Sequence, residues 1–233
     1  MTSSIQTSDS SSPIVLAVTG ASGAIYATSL LEQLLACQIP VHFVVSQSGR
    51  AVMEQELGYA FSEASFCALD MFSAADRFLQ LEAAAAYGPA SVLRQRALQA
   101  INSGRLSVHA ENNYMSPIAS GSFLTRAMVV CPCSGSTLSA MAHSANQNLI
   151  QRAAEVHLKE RRPLIVVPRE TPLSSFCLEN MFRLSQSGVV VLPAAPGWYH
   201  GVSHIHDLVL FIVGRILDQL GIRHECIRRW AED

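Results

Sequence analysis

The chain has 233 residues, with 16 Lys and Arg against 18 Asp and Glu and a formal net charge of -2. That balance excludes a basic nucleic-acid binder at the level of whole-chain charge, and the length suits one α/β domain that buries roughly 70% of its unfolded surface. Hydrophobic residues make up 49% and charged residues 15%, against about 25% charged in an ordinary soluble domain, so a homo-oligomer that hides apolar surface is expected.

Residues 1 to 12 are mostly Ser, Thr and Gln with one charge and read as a flexible polar tail, which leaves 13 to 233 as the domain. The uncharged stretch from Ser10 to Leu31 fails as a signal peptide or membrane helix, because Thr19, Gly20, Ser22, Gly23, Thr28 and Ser29 interrupt it and no Lys or Arg precedes it. A cytoplasmic protein that binds neither membrane nor nucleic acid is expected.

Short unbroken apolar runs follow at Ile14 to Val18, Val41 to Val45, Met128 to Cys131, Leu164 to Val167 and Val189 to Leu192. Runs of this kind suit parallel strands covered on both faces. Between them the period changes. Ile25, Leu30, Leu31, Leu34 and Leu35 form one helical stripe, and Leu149, Ile150, Ala153, Ala154 and Leu158 form another. Val92 to Ile101 and Leu208 to Leu217 also read as helices, Leu106 to His109 as a possible strand, and Asn112 to Gly121 as a loop. The pattern predicts an α/β fold: a single-domain, Rossmann-like open parallel sheet with helices on both faces and ligands beyond the carboxyl ends of its strands.

The segment leaving each strand is therefore informative. The first strand runs through Thr19-Gly20-Ala21-Ser22-Gly23-Ala24 into a helix, where glycines allow close approach and the helix start offers N–H groups to a phosphate, or where the turn is merely tight. Ser46-Gln47-Ser48-Gly49 comes after the second strand with no acidic residue to hold an adenosine ribose, against NAD. Cys131-Pro132-Cys133-Ser134-Gly135-Ser136-Thr137 is a second hydroxyl-rich helix start. Two such starts at one sheet edge suit a ligand with a phosphate and polar ring atoms, such as FMN, although either alone is explained by N-capping. Arg169-Glu170 ends the fourth strand, either as a phosphate or carbonyl ligand beside a proton-handling group or as a surface ion pair. The fifth ends in a proline-stiffened loop carrying Trp198, Tyr199 and His200.

No metal is expected. Cys131-Pro132-Cys133 lacks the spacing of a zinc or redox pair, and the six cysteines read as reduced, mostly buried thiols. His200, His204 and His206 read as helix-capping or solvated loop residues rather than ligands. No G-x-S-x-G elbow supports a serine hydrolase.

The strings VTGASGA (18 to 24), CPCSGSTLSAMA (131 to 142), NLIQRAAEVHLKERRPLIVVPRETP (148 to 172) and LPAAPGWYH (192 to 200) resemble the UbiX-type flavin prenyltransferases, a family earlier described as aromatic acid decarboxylases. The resemblance runs from Ile14 to Trp230 and is least distinctive over 58 to 110. It implies a dodecameric flavoprotein that joins a dimethylallyl group from dimethylallyl monophosphate to N5 and C6 of reduced FMN without a metal. The product, prenylated FMN, would serve UbiD-type decarboxylases.

By motif, the resemblance places Gly20, Ala21, Ser22, Ser46, Ser134, Gly135, Ser136, Thr137 and Arg169 against FMN. It places Tyr199 and Arg215 on the dimethylallyl phosphate, with Arg152 and Lys159 assisting across a subunit boundary, and makes Glu170 the proton-handling residue, with Ser22 and Lys159 beside it in the catalytic set. Those cations stand where a metal would otherwise neutralise the leaving phosphate. Arg152 and Lys159, seven apart on one helix face, are alternatively surface partners of Glu155. Tyr114 falls where the family carries Trp, a stronger cation–π face, a departure that bears on rate or donor and not on class. An FMN-dependent cysteinyl-type decarboxylase shares this expected fold but needs an active-site His, and a non-catalytic flavin carrier would have no use for Lys159, Glu170, Tyr199 and Arg215 together.

Overall fold

Every residue of Ile14–Val18 (β1) is buried, as a central strand covered on both faces requires. Around it lie Val41–Val45 (β2), Leu106–His109 (β3), Ala127–Cys133 (β4), Leu164–Pro168 (β5) and Val190–Val191 (β6), all parallel, in the order β3-β2-β1-β4-β5-β6. The chain winds outward from β1 to β3 and then returns to start again at β4, so the winding reverses between β1 and β4. The computed structural model describes residues 12–81, 91–199 and 201–227. The expected tail, except Ser12, lies outside these, as do His200 and the last six residues of the expected domain.

Alternation along β1 sorts the helices. Ile14, Leu16 and Val18 face a core built with Ala24–Ala36 (α1), Gln47–Leu57 (α2), Ala68–Leu79 (α3), Val92–Asn102 (α4) and Ile205–Gln219 (α8). Val15 and Ala17 face a second core built with Gly135–Ala142 (α5), Leu149–Lys159 (α6) and Ser175–Gln186 (α7). β1, β2 and β3 fall where the sequence places them. β4 runs on to Cys133, two residues past its expected end, through a register shift against β5, and β6 shrinks to two residues at the sheet edge. Three helices were not anticipated. α7 buries only Asn180 and Leu184 while Phe176 and Phe182 face outward, so its apolar period does not mark the core.

Only Cys131 and Cys133 are buried, where desolvation pushes their thiols well above the ordinary range. Cys37 is exposed and Cys67, Cys177 and Cys226 are half-buried, which corrects the expectation of mostly buried thiols. His204 is the N-cap residue of α8, and the Asp207 carboxylate reaches back from the first turn to accept from Ser203 N at 2.8 Å and from the N-cap His204 N at 2.9 Å. His206 is buried. Among the described residues no group of three or more His, Cys, Asp or Glu is arranged to hold a metal, and no helix is long and apolar enough to cross a membrane.

An ion triad crosses the first core. Arg94 on α4 is 1% exposed. It pairs through Nε with Glu32 of α1, through both terminal nitrogens with Asp76 of α3 at 3.1 Å, and lies over the Phe72 ring at 5.0 Å. Removing one member strands buried charge. Arg94→Ala is expected to destabilise by about 3–5 kcal/mol in urea unfolding; an unchanged midpoint would show that the carboxylates find water instead.

Two histidines make the fold acid-sensitive. His157 donates from Nδ1 to Ala153 O at 2.7 Å and accepts from Thr125 Oγ1 at 2.9 Å, and His42 stacks on His109 with Nδ1 to Nε2 at 2.7 Å. Burial holds both His157 and His42 down to about 4. The unfolded chain takes up these protons near pH 6.5 and the folded chain does not, so stability present above that pH is lost progressively as pH falls toward 4. His157 alone accounts for roughly 3 kcal/mol. A pH series of melts should slope through that window, and slope less in a His157→Gln variant, which keeps only the His42 contribution.

Candidate functional site

At the reversal between β1 and β4 the two outgoing loops are joined by one side chain. Thr19, 1% exposed, donates its hydroxyl to Pro132 O at 2.9 Å, accepts from Ser134 N at 2.8 Å, and donates its own N–H to Pro132 O at 3.2 Å. β1 and β2 also close together at their ends: a Cβ on Gly20 would lie 2.5 Å from Ser48 Oγ, and one on Gly49 would lie 2.8 Å from Val18 O. Only glycine permits this approach. Ala21 is buried behind the turn and Ser22 is exposed on it.

Ser46 caps α2, its Oγ accepting from Gly49 N at 3.0 Å and lying 3.2 Å from Ser48 Oγ. Ser134 caps α5, its Oγ accepting from Thr137 N at 3.4 Å, donating to Thr137 Oγ1 at 3.0 Å and lying 3.2 Å from Ser136 Oγ. Gly135 and Ser136 are exposed. The structure brings these two starts into one cleft of about 530 Å³, lined by Ser46, Ser48, Ser136 and Thr137 together with Gln47 and Glu111. Hydroxyls and N–H groups converge there from two helix N-termini.

The start of α1 is different. Glu56 of α2 accepts from Gly23 N at 3.0 Å and Ala24 N at 2.9 Å, so a carboxylate already fills the helix start that the sequence offered to a phosphate. Gly23 holds φ +117°, the left-handed region that glycine favours. Sequence reasoning missed Glu56 because its partners lie more than thirty positions away; an acidic residue on the helix after the second strand was the only trace.

Beyond β5, Arg169 and Glu170 form no ion pair with each other among the described residues, which removes the surface-pair alternative. The Arg169 Nε is buried and lacks a hydrogen-bond partner. A buried donor of this kind wants an acceptor that the chain does not supply. Glu170 is exposed and faces the start of α5, with Oε2 4.0 Å from where a Gly135 Cβ would stand. Burial, opposed by Arg169, raises the Tyr26 phenol, and burial followed by Glu170 raises the Cys177 thiol.

The other expected residues lie apart. Arg152 donates through Nε to Ala119 O at 3.0 Å, and Lys159 pairs with Glu160 at 2.8 Å rather than with Glu155, both beside the loop over 117 to 121. Tyr114, in the segment leading to that loop, is exposed. Arg215 stands on the open side of α8, paired with Asp218 at 2.7 Å, so it is not a lone charge within an apolar helix. Tyr199 is 67% exposed and meets Phe211 edge-on at 6.0 Å. Since α6 and α8 cover opposite faces of the sheet, one chain does not unite Arg152 and Lys159 with Arg215.

The Thr19 bridge generates a direct expectation. Thr19→Val leaves Ser134 N and Pro132 O without their side-chain partner and should cost about 1–3 kcal/mol of stability, while Thr19→Ser should restore most of it. Equal melting of the Val and Ser variants would refute the bridge.

Comparison with known proteins places this geometry. A family model described as Flavoprotein matches residues 2–217. A flavin prenyltransferase UbiX from Pseudomonas aeruginosa is 45% identical over 219 residues, covering 94% of each chain. The crystal structure of AnUbiX in complex with FMN and dimethylallyl pyrophosphate superposes with a TM-score of 0.74 at 32% identity, over 95% of this chain and 98% of that one. A dodecameric FMN-dependent UbiX-like decarboxylase from Escherichia coli O157:H7 gives a TM-score of 0.73 at 32% identity, over 94% and 99%. Likeness of this extent, in sequence as in fold, means that the chain belongs to the UbiX-type flavin prenyltransferases within the flavoprotein family.

Proposed function

We propose that this protein transfers a dimethylallyl group from dimethylallyl monophosphate to reduced FMN, and that the prenylated FMN it makes supplies a UbiD-type decarboxylase. The observation that carries the reading is the shared cleft of the α2 and α5 starts, with the orphaned Arg169 Nε and the exposed Glu170 at the same sheet edge. These features fit a flavin mononucleotide: uncharged hydroxyls and helix-start N–H groups for its phosphate, and a buried guanidinium donor for a ring acceptor. Ser46 and the Ser134, Gly135, Ser136 and Thr137 cluster would hold the phosphate end, and Gly20, Ala21, Ser22 and Arg169 the ring end. When bound, reduced FMN supplies the nucleophilic N5 and C6 positions.

The chain's own groups do the rest. A phosphate leaving group develops about two negative charges, which Arg152, Lys159 and Arg215 neutralise, with Tyr199 orienting it. In one protomer these cations are divided between opposite faces of the sheet, so the proposed site is completed by a neighbouring subunit in a homo-oligomer, as a dodecamer. The Tyr114 ring offers an electron-rich face to the allylic cation, worth about 0.5–2 kcal/mol. Glu170, exposed and without an ion-pair partner among the described residues, is the proton carrier. Its role requires no burial.

Anaerobic incubation with reduced FMN and dimethylallyl monophosphate should yield a flavin heavier by one C5H8 unit in mass spectrometry; unmodified FMN from protein that binds it would refute transfer from this donor. Glu170→Gln should retain FMN and slow single-turnover product formation by about 10²-fold or more. Unchanged kinetics would remove Glu170 from the reaction. Mixed oligomers of inactive Lys159→Met and Arg215→Met chains should regain about a quarter of the wild-type activity if each site draws on two subunits. Mixtures as inactive as their parents would place both residues in one chain's site.

A further inference from the structure

The cleft read as the flavin phosphate site contains a fixed negative charge. Glu111, just past β3, accepts from Gln47 N at 2.7 Å, so its carboxylate sits on the first N–H of α2, beside Ser46 and Ser48. The same carboxylate lines an adjoining cleft of about 520 Å³ with Arg50 and Glu63. Among the described residues these three are the only charged side chains lining the two clefts, and Arg50 is engaged by Glu63 through both terminal nitrogens. Glu111 is left without a cation there. It is also anchored, because its carbonyl accepts from Leu149 N at 2.7 Å, at the first residue of α6.

An anion at a helix N-terminus is favourable, and one next to a second anion is not. We propose that Glu111 is a phosphate-competing latch: its carboxylate occupies the α2 start when the cleft is empty and opposes the flavin phosphate when the cleft is filled, weakening the hold on the phosphate-bearing flavin and favouring its release. The inference rests on the reading of this cleft as the FMN phosphate site. A chain that hands its product on gains from such a restraint, since a cofactor held by every available N–H would leave slowly. Glu111 is a positioning residue here; it acts on affinity for the phosphate and takes no part in bond making.

The test compares FMN with riboflavin, which lacks the phosphate, by quenching of flavin fluorescence on the full chain. Glu111→Gln keeps an oxygen for Gln47 N and removes the charge, and Glu111→Ala removes both. Both variants are expected to bind FMN about tenfold more tightly than wild type at low salt, the size of one like-charge repulsion across a solvated cleft, with the gap closing as salt rises. Riboflavin affinity should not change. FMN bound equally by wild type and Glu111→Gln, or both flavins tightened alike, would overturn the latch and leave the functional reading standing. A wild-type chain and variants that bind no FMN would overturn the reading itself, and the latch with it.

Discussion

One hydroxyl carries more of this molecule than its size suggests. Where the winding of the sheet reverses, the loops leaving β1 and β4 diverge to opposite faces, and a crevice opens between them because no connection crosses it. Thr19, the first residue past β1, bonds the end of β4 at two points, Pro132 O and Ser134 N, and so ties the two sides of the crevice together. The start of α5 is held by that tie, since the residue that donates to the bridge is the same Ser134 that caps the helix. Gly20 and Gly49 then let the α2 start close in from the other side.

Charge is distributed around this crevice with a consistent sense. Three helices begin at the ligand edge after β1, β2 and β4, and the chain treats them differently. Carboxylates from distant segments sit on two of them, Glu56 on α1 and Glu111 on α2, whereas α5 is capped by the uncharged Ser134. Each capped start stabilises its helix by satisfying N–H groups that would otherwise lack partners. Only α5 offers an anion an approach without a carboxylate already bonded there. Arg152 and Lys159 on α6 and Arg215 on α8 lie elsewhere, separated by the thickness of the sheet. Such a division suits a protein with too few charges to coat a monomer, because burial of its apolar faces between subunits would also bring opposite faces of different chains together.

The strands were legible because a parallel sheet covered on both faces imposes unbroken apolar runs, and β1 and β2 begin and end where those runs do. α1 and α6 were legible for a related reason, since each buries a wide stripe. α7 was hidden because its large apolar residues point away from the core, and α3 because its stripe lies in a segment whose neighbours give no turn chemistry to frame it. The hydroxyl-rich turns after β1 and β4 could be read as helix starts at one sheet edge from the strand–helix alternation, whereas Ser46 was not read as the start of α2. Glu56 and Glu111 could not be read, because a carboxylate that caps a distant helix leaves no local pattern.

By itself the sequence determined what is short-range and repetitive: the alternation of strands and helices, the hydroxyl-rich turns that leave β1 and β4, and motifs long enough to mark the family. The tertiary structure decided what depends on pairs far apart in the chain. It joined the Ser46 and Ser134 starts into one cleft, left the Arg169 Nε buried without a partner, put carboxylates on two helix starts, and separated Arg152 and Lys159 from Arg215. The physical reason is that periodicity records which face of an element is buried, while a hydrogen bond or an ion pair records where two elements meet, and that meeting is fixed only when the sheet has chosen its strand order.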